Sequence, residues 1–182
     1  LPGYIDQHVH ITGGGGEQGF SSKVPEICLS DIINAGVTTV LGMLGTDSIT
    51  RTLENVLAKA RSLEGEGISA YMLTGSYSYP SITMTGSVAR DIVLIDKVIG
   101  VKIALSDHRS SNISEDEFIR LCSEARLGGI ISGKPGITVI HMGSGKVGFR
   151  HIYSLVEKSD VPVNNVLPTH VGRSKEVLIE AI

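Results

Sequence analysis

The sequence predicts an α/β fold, a (β/α)8 barrel of the TIM type, of which this chain would supply about the first six βα units. One unit recurs about every 30 to 35 residues: a short apolar strand, a polar loop, an amphipathic helix and a glycine. Polar residues fall at the carboxyl ends of the strands, which converge on one face of a barrel. No Gly-x-Gly-x-x-Gly turn follows the first strand, so an open dinucleotide-binding sheet is the less favoured alternative.

Six apolar segments are predicted to be strands. Each is a nearly continuous run of β-branched or aliphatic residues, as expected for parallel strands that are buried on both faces. The predicted strands are Gly3–His10, Thr38–Met43, Ala70–Thr74, Gly100–Leu105, Thr138–Met142 and Asn165–His170. Their alternation with helices predicts right-handed crossovers between neighbouring strands.

The intervening helices have recognisable start and stop signals. Pro25 can open the first helix, which would end at Gly36, and Ser87 can cap the third. Ser114 and Glu117 form a capping box ahead of the fourth helix. Apolar residues at helical spacing predict the other helices, over 53–63, over 149–156 and from about Ser174 onward.

Composition argues against several classes of partner. The chain has 182 residues, of which 41% are hydrophobic, and its formal net charge is -3 without any basic run. We therefore expect neither nucleic acid nor a membrane surface as a partner. Cys28 and Cys122 form no spaced framework, which predicts free, mostly buried thiols in the reducing cytoplasm. The first residues, Leu1-Pro2-Gly3, have no signal-peptide pattern and no initiator Met, so we expect Leu1 to be an internal point of a longer chain.

A pair of histidines closes the first predicted strand. Side chains two apart in a strand point to the same face, so His8 and His10 should lie side by side, with Asp6 on the same face. Two neutral imidazoles in this arrangement are half of a site for zinc or a similar divalent ion. Alone, the His-x-His pattern is a weak signal.

Lys102 interrupts an apolar strand, where an unpaired ammonium would be costly. It could extend to solvent or pair with a carboxylate. Alternatively, its pKa is lowered and it takes up CO2 as a carbamate, whose two oxygens can bridge two metal ions.

His141 and His170 end the fifth and sixth predicted strands. Each alone is more often a hydrogen-bonded histidine than a metal ligand. Their shared position at strand ends of one barrel predicts two imidazole clusters around a bridging anion. Two ions held there would share a hydroxide and polarise a carbonyl, which is the two-metal chemistry of hydrolysis.

These motifs resemble the amidohydrolase superfamily and, within it, the isoaspartyl (β-aspartyl) dipeptidase family. The superfamily pattern is the His-x-His pair on the first strand, Lys102 on the fourth, His141 on the fifth and His170 on the sixth. The similarity covers nearly the whole chain, and its more specific stretches are 6–20, 106–110, 133–136 and 167–173.

The resemblance implies two divalent ions, with zinc as the expected metal. His8 and His10 would bind one ion and His141 and His170 the other. Lys102, carboxylated, would be the bridging ligand and take part in catalysis.

The resemblance also implies roles for five other residues. Tyr77 would be catalytic, donating a hydrogen bond to the oxyanion, and Glu17 would bind the substrate's α-ammonium group. Arg109 and Arg173 would bind substrate carboxylates, and Thr46 would line the substrate pocket. From the residues alone, Glu17 could be a solvated loop acid, Tyr77 could simply pack against its neighbours, and either arginine could lie on the surface.

The implied activity is hydrolysis of β-aspartyl dipeptides by a hydroxide that two metal ions activate. The implied protein is a homo-oligomeric metallo-dipeptidase with a small dipeptide as substrate. One alternative is another amidohydrolase, such as a cyclic amidase or an N-acyl-amino-acid deacylase. Another is a catalytically silent barrel used for assembly. The single acid and the two arginines favour a zwitterionic dipeptide over a neutral ring.

One departure from the family pattern concerns the last metal ligand, an aspartate on the eighth strand that also acts as general base. The chain ends in its sixth unit and lacks that acid, together with the β-sandwich that family members build from both chain ends. We therefore expect residues 1–182 to be the N-terminal three quarters of a metal-dependent hydrolase barrel, inactive on its own.

Overall fold

A computed structural model describes residues 2–182, so Leu1 lies outside the described part of the chain. Six parallel strands form one sheet, and each strand pairs with the next one along the sequence. The strands are β1 (Tyr4–Val9), β2 (Val37–Gly42), β3 (Ser69–Gly75), β4 (Val98–Leu105), β5 (Ile137–Met142) and β6 (Val166–Thr169). This sequential order, with a helix after every strand, is that of a partial TIM barrel and confirms the predicted fold class.

The helices follow the predicted pattern closely. They are α1 (Leu29–Asn34), α2 (Leu53–Gly65), α3 (Val88–Leu94), α4 (Glu115–Ser132), α5 (Arg150–Lys158) and α6 (Lys175–Ala181). Ser87 and Ser114 cap α3 and α4 as predicted, the latter in a capping box with Glu117, and Ser174 caps α6. None of the helices described in residues 2–182 combines the length and apolar character needed to cross a membrane.

The start of the first helix was predicted wrongly. It begins at Leu29 rather than at Pro25, because the backbone before it is bound to the loop that follows β1. The amide of Ile27 donates to the carbonyl of Ile11 at 3.3 Å, and Arg51 donates to the carbonyl of Val24 at 2.8 Å. Cys28, expected to be buried, is exposed at the N-cap of this helix, whereas Cys122 is buried.

Alternation along the strands separates the two faces of the sheet. Outward side chains such as Met72 and Ile140 join the core between the sheet and the helices. Inward side chains such as Leu73 and Val139 form a smaller cluster inside the partial barrel. Lys102 belongs to β4, and its Nζ meets His8 on the inner side. The helices therefore cover one face and leave the candidate site on the other.

Candidate metal and substrate site

Four imidazoles form a row along the carboxyl ends of the strands. His8 lies in β1 and His10 directly after it, His141 lies in β5, and His170 directly follows β6. Ring centroids are 5.4 Å apart for His10 and His8, 4.8 Å for His8 and His170, and 4.7 Å for His170 and His141. The structure thus brings the four sequence-predicted histidines together.

The ring of His10 is oriented by the neighbouring strand. Its Nδ1 lies 3.1 Å from the carbonyl oxygen of Met43, an acceptor only, so Nδ1 carries the hydrogen and donates it. The lone pair of the neutral ring is then on Nε2, where a metal ion could take it. Gly45 makes room for this ring, since a Cβ there would lie 3.1 Å from Cε1 of His10.

Lys102 is fully buried beside this row, with its Nζ 3.3 Å from Nε2 of His8. Burial lowers its pKa from 10.5 to about 7. Among the ion pairs formed by residues 2–182, no carboxylate partners Lys102. Of the alternatives open from the sequence, extension to solvent and pairing with an acid therefore do not hold. What remains is an amine with a pKa of about 7, so a substantial fraction of it is neutral at pH 7 and able to act as a nucleophile.

The imidazoles are held in the neutral form that metal ions bind. Burial is the main cause that lowers the pKa of His8 to about 3 and that of His141 to about 4, and it also lowers the pKa of His10 and His170. Within residues 2–182, Nδ1 of His8 is buried without a hydrogen-bond partner.

The donor set fits divalent ions that accept nitrogen ligands, zinc among them. Across residues 2–182, however, no three His, Cys, Asp or Glu side chains are grouped as one ion would need. If two of the imidazoles bind each ion, as the resemblance implies, each ion would require a further ligand. An anionic group on Lys102 could supply one.

Both ring nitrogens of His141 contact other side chains. The hydroxyl of Tyr77 donates to Nδ1 at 2.6 Å, and Nε2 lies 2.9 Å from Oδ2 of Asp107. Tyr77 is buried, which raises its pKa to about 12. Sequence reasoning did not select Asp107 as a site residue, although it lies in the loop after β4, where a barrel places its active-site residues.

Two of the predicted substrate-binding residues pair with each other. Nη1 of Arg109 lies 2.8 and 2.9 Å from the two carboxylate oxygens of Glu17. Thr46 donates to the same carboxylate at 2.6 Å, and this bond is the main reason why the pKa of Glu17 is lowered. Arg173 is exposed, and its Nη1 lies 3.5 Å from Nε2 of His141.

The loop that carries Glu17 needs its glycines. Gly13, Gly15 and Gly16 have φ of +84°, +69° and +88°, and a Cβ on Gly13 would lie 2.1 Å from the carbonyl oxygen of Val24. Arg51, which sequence reasoning missed, donates to the carbonyls of Thr12, Gly14 and Val24 and so ties this loop to the chain ahead of α2.

Beside this loop lies a cleft with about 310 Å³ of empty space. Residues of the loop and of the segments that follow β1, β2 and β3 line it, among them His10, Glu17, Thr46, Arg51 and Tyr77. The cleft therefore joins one end of the imidazole row to the Glu17 carboxylate.

The chain is similar to known proteins in sequence and in fold. The model of the amidohydrolase family matches residues 1–131. The crystal structure of the β-aspartyl dipeptidase of the thermophilic keratin-degrading bacterium Fervidobacterium islandicum AW-1 has a TM-score of 0.98 and 55% identity, over 100% of this chain and 50% of that one. Its complex with the β-Asp-Leu dipeptide gives a TM-score of 0.97 and 55% identity, over 100% and 49%.

The chain thus spans about half the length of the dipeptidase chains that it matches. A 2,3-dimethylmalate lyase, a member of the PEP mutase/isocitrate lyase superfamily, is 13% identical with a TM-score of 0.56, over 100% of this chain and 62% of that one. That likeness shows the fold alone.

Proposed function

The chain belongs to the amidohydrolase family, and from this premise we propose that it is the metal-binding part of a dipeptidase that hydrolyses β-aspartyl dipeptides. The observation that carries this proposal is the Glu17–Arg109 ion pair next to the row of four imidazoles. The 55% identity to a β-aspartyl dipeptidase that was crystallised with β-Asp-Leu supports the choice of substrate.

The ion pair explains how a zwitterionic dipeptide would be recognised. Such a substrate carries one ammonium group and two carboxylates, so it can exchange the Glu17–Arg109 contact for one ion pair on each partner. Glu17, held by Thr46, would bind the ammonium group. Arg109 and Arg173 would bind the carboxylates, for which a guanidinium is a bidentate partner. A neutral ring, the substrate of a cyclic amidase, would leave the Glu17–Arg109 pair unused.

Four imidazoles and one lysine would hold the metal ions. His8 and His10 would bind one ion, and His141 and His170 the other. Lys102 would bridge them after its neutral amine attacks CO2, forming the carbamate C–N bond and releasing one proton to solvent. Two divalent ions, expected to be zinc, would lower the pKa of water and polarise the scissile carbonyl when bound.

Tyr77 would stabilise the reacting carbonyl as negative charge develops on its oxygen. A phenol with a pKa of about 12 keeps its hydrogen at neutral pH, so it remains a donor. Its hydroxyl already reaches Nδ1 of His141, which places the donor at the imidazole row.

Assembly and compartment remain predictions. We retain the expectation of a homo-oligomer in the cytoplasm, with a small dipeptide as partner and without nucleic acid or membrane contacts. A catalytically silent barrel is the alternative that an activity assay separates from the proposal.

The first experiment compares β-Asp-Leu with α-Asp-Leu as substrates of the full-length protein. We expect metal-dependent hydrolysis of the β-linked isomer and little of the α-linked one, because only the former presents its charges at the required spacing. Lys102→Ala should lose metal as well as rate, and added acetate or propionate should restore part of both by supplying the missing carboxylate.

Lys97→Ala is the matched control, since Lys97 is also a buried lysine but pairs with Glu64 away from the imidazoles. This control should keep its metal content and its rate. A Lys102→Ala protein with two ions per chain and full activity without added acid would contradict the proposed bridge. Preference for α-Asp-Leu or for a cyclic amide would contradict the substrate.

A further inference from the structure

Asp107 contacts both the imidazole row and the substrate-binding arginine. Its side chain is 5% exposed, in the loop that follows β4. Oδ1 accepts hydrogen bonds from the backbone amide and Nε of Arg109, at 2.9 and 2.8 Å. Oδ2 lies 2.7 Å from Nη2 of Arg109 and 2.9 Å from Nε2 of His141. Each of its two oxygens therefore has two nitrogens at hydrogen-bond distance, and Nδ1 of the exposed His108 lies 3.6 Å from Oδ1.

On the substrate side, the bonds to Asp107 leave only Nη1 of the Arg109 guanidinium to contact Glu17 or a substrate. The paired bonds from Nε and Nη2 hold the plane of the guanidinium, as bidentate carboxylate contacts do. The remaining nitrogen, Nη1, then points at Glu17. Without the Asp107 carboxylate, the guanidinium could rotate about its long side chain and would meet Glu17 or a substrate carboxylate in many orientations.

On the imidazole side, the same carboxylate selects one tautomer of His141. Oδ2 of Asp107, which can only accept, lies 2.9 Å from Nε2, nearer than the donor Nη2 of Arg109 at 3.2 Å. The shorter contact places the hydrogen of the neutral ring on Nε2. The lone pair is then on Nδ1, where the Tyr77 hydroxyl donates. A ligating histidine whose other nitrogen is bound to a carboxylate has a fixed ring orientation and a stronger donor atom.

We propose that Asp107 is a positioning residue that couples the two halves of the site, fixing Nδ1 of His141 as the metal-binding nitrogen and Arg109 as the carboxylate-binding group. This inference rests on the proposed metal-dependent dipeptidase function. In this proposal one carboxylate orients both a metal-binding residue, His141, and a substrate-binding residue, Arg109.

The test uses Asp107→Asn in the full-length protein, because the amide nitrogen that replaces one carboxylate oxygen cannot accept a hydrogen bond from His141 or from Arg109. We expect zinc affinity, measured by competition with a chelator, to fall about 10- to 100-fold. The KM for β-Asp-Leu should rise in the zinc-saturated variant. In a double variant, Asp107→Asn should add little to the KM change caused by Arg109→Met.

The exposed Asp96, paired with Arg61, provides the control variant Asp96→Asn, which should match the wild type in every measurement. The ¹⁵N chemical shifts of the His141 ring in the metal-free wild type report the tautomer without any variant. A hydrogen on Nδ1 rather than on Nε2 would overturn the proposal, even where Asp107→Asn failed to fold. Unchanged zinc affinity and unchanged KM in Asp107→Asn would also overturn it.

Failure of the proposed function gives a different result. A wild type that binds no zinc and cleaves no β-Asp-Leu would refute the dipeptidase proposal, and the proposed coupling would fall with it. A wild type that does both, beside an Asp107→Asn variant that does both equally well, would refute the role of Asp107 alone.

Discussion

On the helix-covered face of the sheet, Met72, Ile92 and Phe118 are fully buried in one continuous apolar core. On the inner face of the same strands, the buried apolar cluster consists of Leu41, Met43, Leu73 and Val139. Toward the carboxyl ends of the strands, this inner face carries Lys102 and the histidines. Toward their amino ends, it opens into an apolar cleft of about 920 Å³. Stability should therefore come mainly from the outer layer.

The two faces also differ in how their buried polar groups are satisfied. The buried Asp91, behind the outer side of β3, accepts hydrogen bonds from Thr74, Met84 and Thr85. On the inner face, Lys102 is buried without an acid among its partners in residues 2–182, and Nδ1 of His8 has no partner in that range. Buried polar groups without a hydrogen-bond partner are typical of sites that bind a metal ion or a ligand.

The largest effect should come from opening a cavity in the outer layer. Phe118→Ala removes a fully buried ring from α4 and should lower the free energy of unfolding by about 3–5 kcal/mol. Urea denaturation monitored by circular dichroism measures it. Leu127→Ala, on the same helix but with Leu127 53% exposed, should change the stability much less. Equal losses for both variants would contradict an outer layer that carries the stability.

A second substitution should act in the opposite direction on the inner face. At about 1.36 kcal/mol per pKa unit, burying an amine whose pKa falls from 10.5 to about 7 destabilises the metal-free fold. Lys102→Met should therefore stabilise the metal-free protein at pH 7. We expect about 3 kcal/mol, less than the full pKa shift corresponds to, because the folded protein can relax around the charged amine. The same variant should lose its metal.

The pH dependence of that gain follows from the sign of the shift. Between about pH 7 and pH 10.5 the unfolded chain binds the proton and the folded chain does not, so the wild type gains stability as the pH rises. The advantage of Lys102→Met should thus shrink toward pH 10.5. Lys97→Met, which breaks an ion pair with Glu64, should not stabilise the protein. A Lys102→Met protein that is less stable than the wild type at pH 7 would contradict this account.

Local patterns in the sequence were sufficient to predict the strands and the serine caps, whereas they left the burial of Lys102 open. The face of the sheet to which each strand side chain points could not be predicted, as Thr74 shows. It lies in a parallel strand as Lys102 does, yet it points to the opposite face and bonds Asp91, because it is out of phase by one residue with Leu73. A shift of one residue reverses the face, and such a shift cannot be read from an apolar run.

The partners of the loop side chains were beyond sequence reasoning for another reason. Arg51 bonds carbonyls 27 to 39 residues away, and Arg109 bonds Glu17 across 92 residues. These pairings depend on how the loops after the strands meet in three dimensions, which periodicity does not describe. The first helix was misplaced because a distant arginine competes for its backbone.

The smallest effect should come from the surface of the outer layer, where Glu115 joins α4 to α5. Its carboxylate accepts from Nζ of Lys158 at 2.8 Å and from the hydroxyl of Ser154. These bonds, that of Lys158 first, lower the pKa of Glu115 from 4.5 to about 2. Its contribution to stability is therefore complete above about pH 4.5 and is lost as the pH falls toward 2.

Glu115→Gln should be slightly less stable than the wild type at pH 7, and thermal unfolding should show the difference vanishing by pH 2. Glu157→Gln, an exposed acid on α5, is the control and should show no such trend. A difference that stays constant between pH 7 and pH 2 would assign the effect to packing of the amide rather than to charge, because only the carboxylate titrates in this range.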